Sequence, residues 1–446
     1  VSTDIADLGL FAMAEAVRQG QLRSVDLVEA CLERIARREA QVHAWAWLDP
    51  AAALASARQR DQQPPAGPLH GVPIAVKDIM DTVDMPTGYG SPIYRGHRPA
   101  WDASCVALAR RAGAVILGKT VSTEFAYFAP GPTANPRNLL HTPGGSSSGS
   151  AAAVADGMVP AGFGTQTAAS VIRPASYCGV VGYKASLGGF NLAGIKAFAP
   201  SFDSLGTLTR DVHDAQWLRW ALLGKPGSTS GGPRSAAPRI GICRTPWWAG
   251  AAPDCQRAIE SAAQALASAG ALVADVELPA HFDQLATHHK TLMAYEAAHS
   301  LAFEYDSHKA TLSPQLRQLI EDGMAVPREQ YLATQQIAAL AREQFAHWMN
   351  DWDALLAPSA TGAAPLGLHA TGDPLFSRMW TLLGLPSVTL PGASAANGLP
   401  IGVQLICRIG EDEQLLATAR WAEPLIRNLA PMAVSKPSNI VGNSPA

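Results

Sequence analysis

The stretch DASCVALARRAGAVILGKTVS, residues 102–122, decides the fold. Its first half predicts a helix from about Ala103 to Ala112, Gly113 supplies a turn, and Ala114 to Leu117 is an unbroken apolar run of strand length. Upstream, GPLHGVPIAVKDIMDT (67–82) predicts a loop and a short buried strand, Pro73 to Val76, ending at Lys77. Buried strand, helix and buried strand in alternation mark an α/β chain with a mixed, largely covered sheet. Before them come two helices: SVDLVEACLERIARREAQ (24–41), for which Ser24 is the expected cap, and PAAALASARQRDQ (50–62), stopped by Pro64 and Pro65.

Downstream, GKPGSTSGGPRSAAP (224–238) is a low-complexity linker or surface loop. RIGIC, DCQRAIESAAQALASAG and ALVADVEL then give strand, helix and strand over residues 239–278. Two mostly helical segments follow at 281–350. A last sheet portion lies in LGLPSVTLPGASAANGLPIGVQLI (383–406), with a turn at Gly398, and DEQLLATARWAEPLI is the final helix.

The 446 residues are 48% hydrophobic and 16% charged, which suits a large buried interior. A net charge of −3 with no Lys/Arg run excludes a nucleic-acid footprint or a polybasic membrane patch. Asp4 and Asp7 precede the first apolar residues, the wrong charge order for a signal peptide, and no eighteen apolar residues run unbroken. Cys31, Cys105, Cys178, Cys243, Cys255 and Cys407 are scattered without a CxxC pair, as expected of thiols in a cytoplasmic protein.

Three motifs compete for the chemistry. GAVILGKT (113–120) satisfies the Walker A expression, but its middle residues read as a buried strand rather than a loop that cradles phosphate. Gly145 to Gly149, within HTPGGSSSGSAAAVADG (141–157), satisfies GxSxG and would make Ser147 an esterase nucleophile. The preceding NPRNLLHTPG is loop, however, where that motif needs a strand, and no histidine stands in a recognisable setting. His288 and His289 lack metal-ligand spacing and read as a solvated pair.

The third reading joins Lys77 at the end of GVPIAVK, Ser146 in TPGGSSSGS, and Ser170 in GFGTQTAASVIRPASYCGVVGYK. Taken with KTVSTEFA, SFDSLGTLTRDVHDA, DALLAPSA and the closing LGLPSVTLP, GLPIGVQLI and DEQLLATARWAE, these make the chain resemble the amidase signature family of serine hydrolases. The resemblance implies one domain over 1–446: a helical region to about 62, a signature core to about 223, the linker 224–238, a C-terminal α/β part 239–430, and a tail 431–446. It also implies a large, mixed, mostly parallel twisted sheet with helices on both faces. Carried over by motif, Ser170 is the nucleophile, Ser146, on a cis peptide, the bridging serine, and Lys77 the base. Thr167, Ala168, Ala169 and Ser170 supply the oxyanion-hole N–H groups, and Ser147, Arg173 and Asp203 give support. No metal or cofactor is implied.

The residue types suit that chemistry. A serine hydroxyl attacks only when a base takes its proton, and lysine serves as base only when neutral. Burial in an apolar site lowers a lysine pKa, and Lys77 closes a buried run. The family pattern is broken at TAAS, where alanine replaces a more usual glycine; a Cβ there strains any residue that needs positive φ. Ser148 also stands where glycine is common. Lys119 and Lys184 are expected to be structural, Cys178 to be core, and Ser147 to cap the helix that starts near Gly149 or to assist the relay.

An acyl pocket is expected from Tyr127, Phe128, Phe190, Leu192, Ile195, Phe198, Phe376, Met379 and Trp380, which would favour aryl or alkyl amides, with carbamates, anilides and esters open as specific cases. The partner is then a small-molecule amide or carbamate, with no nucleic acid and no membrane, and the protein a monomer or homodimer. The competing functions are a glutaminase-type subunit of a tRNA-dependent amidotransferase, a Ser-His-Asp esterase using Ser147, and a non-catalytic binding protein.

Overall fold

The structure, a computed structural model, describes residues 4–225 and 237–429. Most of the expected 224–238 linker and the 431–446 tail lie outside the described residues. Local chemistry starts the helices. Asp49 accepts from Ala52 N at 3.0 Å with Pro50 at the first helical position, which opens the Pro50–Asp61 helix. The Ser24–Val42 helix starts differently from expectation: Arg23 is the cap residue, and Asp26 accepts from Arg23 N at 2.8 Å. Ser24 instead donates to Gly71 O at 2.7 Å, tying the helix to the loop before the first core strand.

Eleven strands form one sheet: β1 (Trp45–Leu48), β2 (Pro73–Lys77), β3 (Val115–Thr120), β4 (Ala161–Gln166), β5 (Val181–Lys184), β6 (Ser204–Thr209), β7 (Arg239–Ile242), β8 (Leu272–Asp275), β9 (Ala354–Pro358), β10 (Ser387–Ser394) and β11 (Pro400–Ile406). Their order is β1-β3-β2-β4-β6-β5-β10-β11-β9-β7-β8. The strands beyond residue 239 therefore extend the same sheet. It is mixed, as expected, but antiparallel pairing outweighs parallel, because β5, β6, β10 and β11 enter as antiparallel neighbours. Parallel pairing is confined to β3-β2-β4 and β9-β7-β8.

β3 runs past the expected Leu117 to Thr120 because β2 pairs it on one side and β1 on the other. The GKT of the Walker-like run is thus strand, not phosphate loop. The 281–350 region resolves into the helices Leu285–Ser300, Ala302–His308, Pro314–Met324 and Arg328–Trp348. One apolar core joins these to the N-terminal helices and β2–β4; a second packs the helices Pro253–Ser268 and Asp412–Arg427 against β5, β7 and β9–β11. Among the described residues no helix is long and apolar enough to cross a membrane.

For the site, the pair β2 and β4 matters most. They are parallel, with Ala75 opposite Gly162, so Lys77 and Thr165 come together at the same end of the two strands. The helix Ser148–Ala155 crosses close beneath: a Cβ on Gly149 would lie 2.2 Å from Ala44 O and 2.4 Å from Val121 N, so only glycine fits there.

Candidate active site

Lys77 is fully buried, and its ammonium nitrogen lies 2.6 Å from Ser146 Oγ and 3.0 Å from Thr165 Oγ1. No carboxylate ion-pairs with it among the described residues. Burial holds its pKa well below the ordinary 10.5, and the Asp203 charge only partly offsets this. Burial thus disfavours the charged form of this amine relative to an exposed lysine.

Ser146 sits on a tightly fixed loop. Gly144 has φ +79°, a left-handed conformation that favours glycine, and the Gly145–Ser146 peptide is cis. Arg173, from the Ile172–Cys178 helix, donates to Gly145 O at 2.7 Å, to Thr371 Oγ1 at 3.2 Å and to Gly372 O at 2.5 Å. Ser147 N donates to Ser170 O at 3.2 Å, which seats the two serine segments against each other. The Ser170 hydroxyl makes no well-directed hydrogen bond of its own among the described residues.

The segment from Gln166 to Ile172 has its carbonyls claimed from outside. His289 bonds Thr167 O at 2.7 Å, Thr381 Oγ1 donates to Ala168 O at 2.8 Å, and Arg173 N donates to Ala169 O at 2.9 Å. Gln166 Oε1 accepts from Val171 N and Ile172 N at 3.0 and 3.1 Å. By contrast, among the described residues no acceptor takes the amide N–H groups of Thr167, Ala168, Ala169 or Ser170. Four consecutive free donors beside a serine are suited to stabilise an oxyanion. Ala168 and Ala169 are absent from the left-handed region, so the strain expected of a Cβ there does not arise.

A cavity of about 270 Å³ opens beside Thr165 and Thr167. Leu192, Ile195 and Phe198 line it as expected, together with Ile79, Ala126 and Pro200. Asp203 reaches its wall and fixes the loop, accepting from Phe198 N and Ala199 N at 2.9 Å each and from Thr167 Oγ1 at 2.5 Å. Tyr127 stacks on Phe198 with ring centroids 5.5 Å apart, and Phe128 packs edge-on to Tyr127 and under the Arg173 guanidinium. The remaining four expected pocket residues are elsewhere. Phe190 lies under Arg219, and Phe376, Met379 and Trp380 are core side chains at 2, 1 and 1% exposure. Their helix, Leu375–Leu382, buries its apolar face and turns Arg378 and Thr381 toward the serine segment.

The competing residues have other partners. Lys119 Nζ donates to Met80 O and Thr87 Oγ1 at 2.8 and 2.6 Å and pairs with Asp78 at 3.3 Å. Lys184 Nζ donates to Ala185 O at 2.7 Å. Ser147 occupies the cap position of the Ser148–Ala155 helix without capping it; its hydroxyl points to Thr165 O at 3.5 Å, and no histidine hydrogen-bonds to it. Ser148 Oγ donates to Val121 O at 3.3 Å, and Cys178 is fully buried. Among the described residues no cluster of His, Cys, Asp and Glu could hold a metal ion.

His289 corrects the expectation of a solvated pair: it is 0% exposed, while only His288 reaches solvent. Leu285, Ala286, His289, Leu292 and Met293 repeat at helical spacing, and that apolar face was the signal for its burial. Arg378 and Thr381 carried no such signal, since a lone arginine and threonine in a short helix do not reveal which distant partner they meet.

A buried lysine and two serine segments meet at the ends of inner strands of a mixed, helix-covered sheet, and the chain is an enzyme of the amidase type that acts on carbon–nitrogen bonds. The chain belongs to the amidase family, whose model matches residues 26–416. It is 33% identical over 466 residues to a glutamyl-tRNA(Gln) amidotransferase subunit from Roseiflexus castenholzii, covering 93% of this chain and 95% of the relative. Among solved structures, one amidase superposes with a TM-score of 0.86 at 30% identity, covering 94% of this chain and 100% of that one. The native peptide amidase of Stenotrophomonas maltophilia superposes with a TM-score of 0.81 at 29% identity, covering 95 and 97%.

Proposed function

We propose that the protein hydrolyses amide bonds of small substrates with an apolar or aromatic acyl group, through an acyl-enzyme on Ser170. The observation that carries this reading is Lys77: a buried amine with no carboxylate partner among the described residues, 2.6 Å from Ser146 Oγ. Neutral Lys77 accepts the Ser146 proton while Ser146 takes that of Ser170, whose Oγ then attacks the carbonyl carbon. The N–H groups of Thr167–Ser170 stabilise the oxyanion, one such donor being worth about 3–4 kcal/mol. Collapse breaks the C–N bond, and the amine leaves with the proton returned through Ser146. Water enters by the same route and releases the carboxylic acid and Ser170. The Ser146–Ser170 hydrogen bond closes when substrate fills the site, since catalytic hydrogen bonds commonly tighten on binding.

The cavity's apolar walls favour aryl and alkyl acyl groups. A cavity of roughly 150 Å³ lined by Leu, Ile and Phe accommodates benzene, so about 270 Å³ has room for a substituted ring. Carbamates, anilides and esters present the same acyl carbon and remain within reach of the site. Sheet continuity from residue 45 to residue 406 supports reading the chain as one domain.

Labelling with a fluorophosphonate and mapping the adduct tests the nucleophile: modification of Ser170 is expected, and modification of Ser147 would establish the esterase reading instead. Side-by-side hydrolysis of an aryl amide, a carbamate and glutamine tests the cavity, with preference for glutamine counting against it. The second reading, one component of a tRNA-dependent amidotransferase, is favoured by the Roseiflexus relative. It predicts a chain that is inert alone in gel filtration and active when a partner is added.

A further inference from the structure

We infer that His289 is a positioning residue for the oxyanion-binding segment: its Nε2–H, fixed in one tautomer by Arg378, sets the Thr167–Ala168 peptide so that the Ala168 N–H faces the developing oxyanion. The inference rests on the acyl-enzyme reading above.

Thr167 O accepts and cannot donate, so the ring nitrogen 2.7 Å away, Nε2, must carry the hydrogen. On the other side Arg378 Nη1 donates and cannot accept, so Nδ1, at 3.1 Å, must present its lone pair. The two partners admit one neutral tautomer. Burial, reinforced by the Arg378 charge, pushes the imidazolium down to about 3, so the ring stays neutral over the whole working range of pH. Phe202 holds the ring from the side, with centroids 4.7 Å apart.

The consequence follows from amide geometry. The Thr167–Ala168 peptide is planar and trans, so its C=O and N–H point in opposite directions. Drawing Thr167 O toward His289 therefore aims the Ala168 N–H to the other side of the loop, where no acceptor among the described residues takes it. Thr381 Oγ1 does the same for the next peptide by holding Ala168 O. A hydrogen bond to the carbonyl also polarises the peptide and strengthens its N–H as a donor. Arg378 is 7% exposed and has no carboxylate within ion-pair distance among the described residues.

The test compares His289→Leu with His289→Gln, whose side-chain amide keeps one donor and one acceptor. Two readouts are used: the rate of fluorophosphonate labelling, which needs the nucleophile and the oxyanion donors but no knowledge of the natural substrate, and turnover of hexanoyl 4-nitroanilide with hexanal as inhibitor. The leucine variant is expected to label at least 30-fold more slowly. Its kcat should fall by a similar factor with KM within threefold of wild type, and hexanal affinity should fall in parallel with kcat/KM. Glutamine should restore at least a third of each rate. Should leucine fail to fold, His289→Asn reads the same hydrogen bond, because its shorter amide stops short of Thr167 O. A folded leucine or asparagine variant with unchanged labelling overturns the inference, as does a loss that glutamine fails to restore or one carried by KM alone. Hydrolysis that survives Ser170→Ala would overturn the acyl-enzyme reading instead, so the two failures are distinguishable.

Discussion

Arg173 Nη2 donates at 2.7 Å to the carbonyl oxygen of Gly145, the peptide that carries Ser146. A second nitrogen of the same guanidinium reaches Gly372 O, so one buried cation joins the serine loop to the 371–372 turn. Its charge is spread over carbonyl oxygens rather than neutralised by an acid, an arrangement that suits the planar guanidinium fork.

Arg173→Lys should therefore behave as a disruptive change. A single ammonium cannot span both carbonyls, and at least one buried acceptor loses its donor. The expected result is a drop of about 2–3 kcal/mol in unfolding free energy and at least a tenfold fall in kcat. Urea unfolding and steady-state kinetics on the same sample check both numbers.

Lys77 makes stability depend on pH in a predictable direction. Its folded pKa lies well below 10.5, so between the two values the unfolded chain binds a proton that the folded chain does not. Stability then rises with pH across that window. Lys77→Met removes the ionisable group, so its stability relative to wild type should be greatest at low pH and shrink as pH approaches the ordinary lysine range. Melting curves at pH 6, 7.5 and 9 measure this, and a difference independent of pH would contradict a neutral buried amine. In the wild type, kcat/KM should fall as pH drops through the lowered lysine value, because the base becomes protonated.

Ser170→Ala and Ser146→Ala should each lower kcat by roughly 10³-fold or more, since the proposed mechanism places both in one proton-transfer unit. Intact-mass spectrometry after fluorophosphonate treatment separates them: Ser170→Ala should gain no adduct, while Ser146→Ala should label slowly at Ser170.

Leu192 offers a test of the cavity. Leu192→Trp should fill part of the 270 Å³ space, so KM for a bulky aryl amide should rise about tenfold while acetamide is turned over as before. Equal losses on both substrates would place the acyl group elsewhere.

Strands that are buried on both sides, such as Pro73–Lys77, announce themselves as continuous apolar runs, and the order of lysine, serine cluster and second serine lies open along the chain. The boundaries were less legible. β3 continues to Thr120 because two neighbours pair with it, and Ser24 leaves its capping role because Gly71 O comes within reach. The pocket was overdrawn for a similar reason: Phe376, Met379 and Trp380 are as apolar as Leu192 and Ile195, and hydrophobicity alone does not tell a cavity wall from a packed core.

Amino-acid order alone thus reveals the strongly periodic helices, the strands that are long apolar runs, and the family, which stands in short motifs; short strands such as Trp45–Leu48, Val181–Lys184 and Ser204–Thr209 are set by pairing with their neighbours. It leaves open which partner holds which carbonyl. His289 meets Thr167 across 122 positions and Arg378 meets His289 across 89, contacts that depend on how helices from distant parts of the chain settle on the sheet. The state of Lys77 belongs to the same category. Burial lowers the pKa of an amine, and the burial of Lys77 is a property of all the segments packed around it at once.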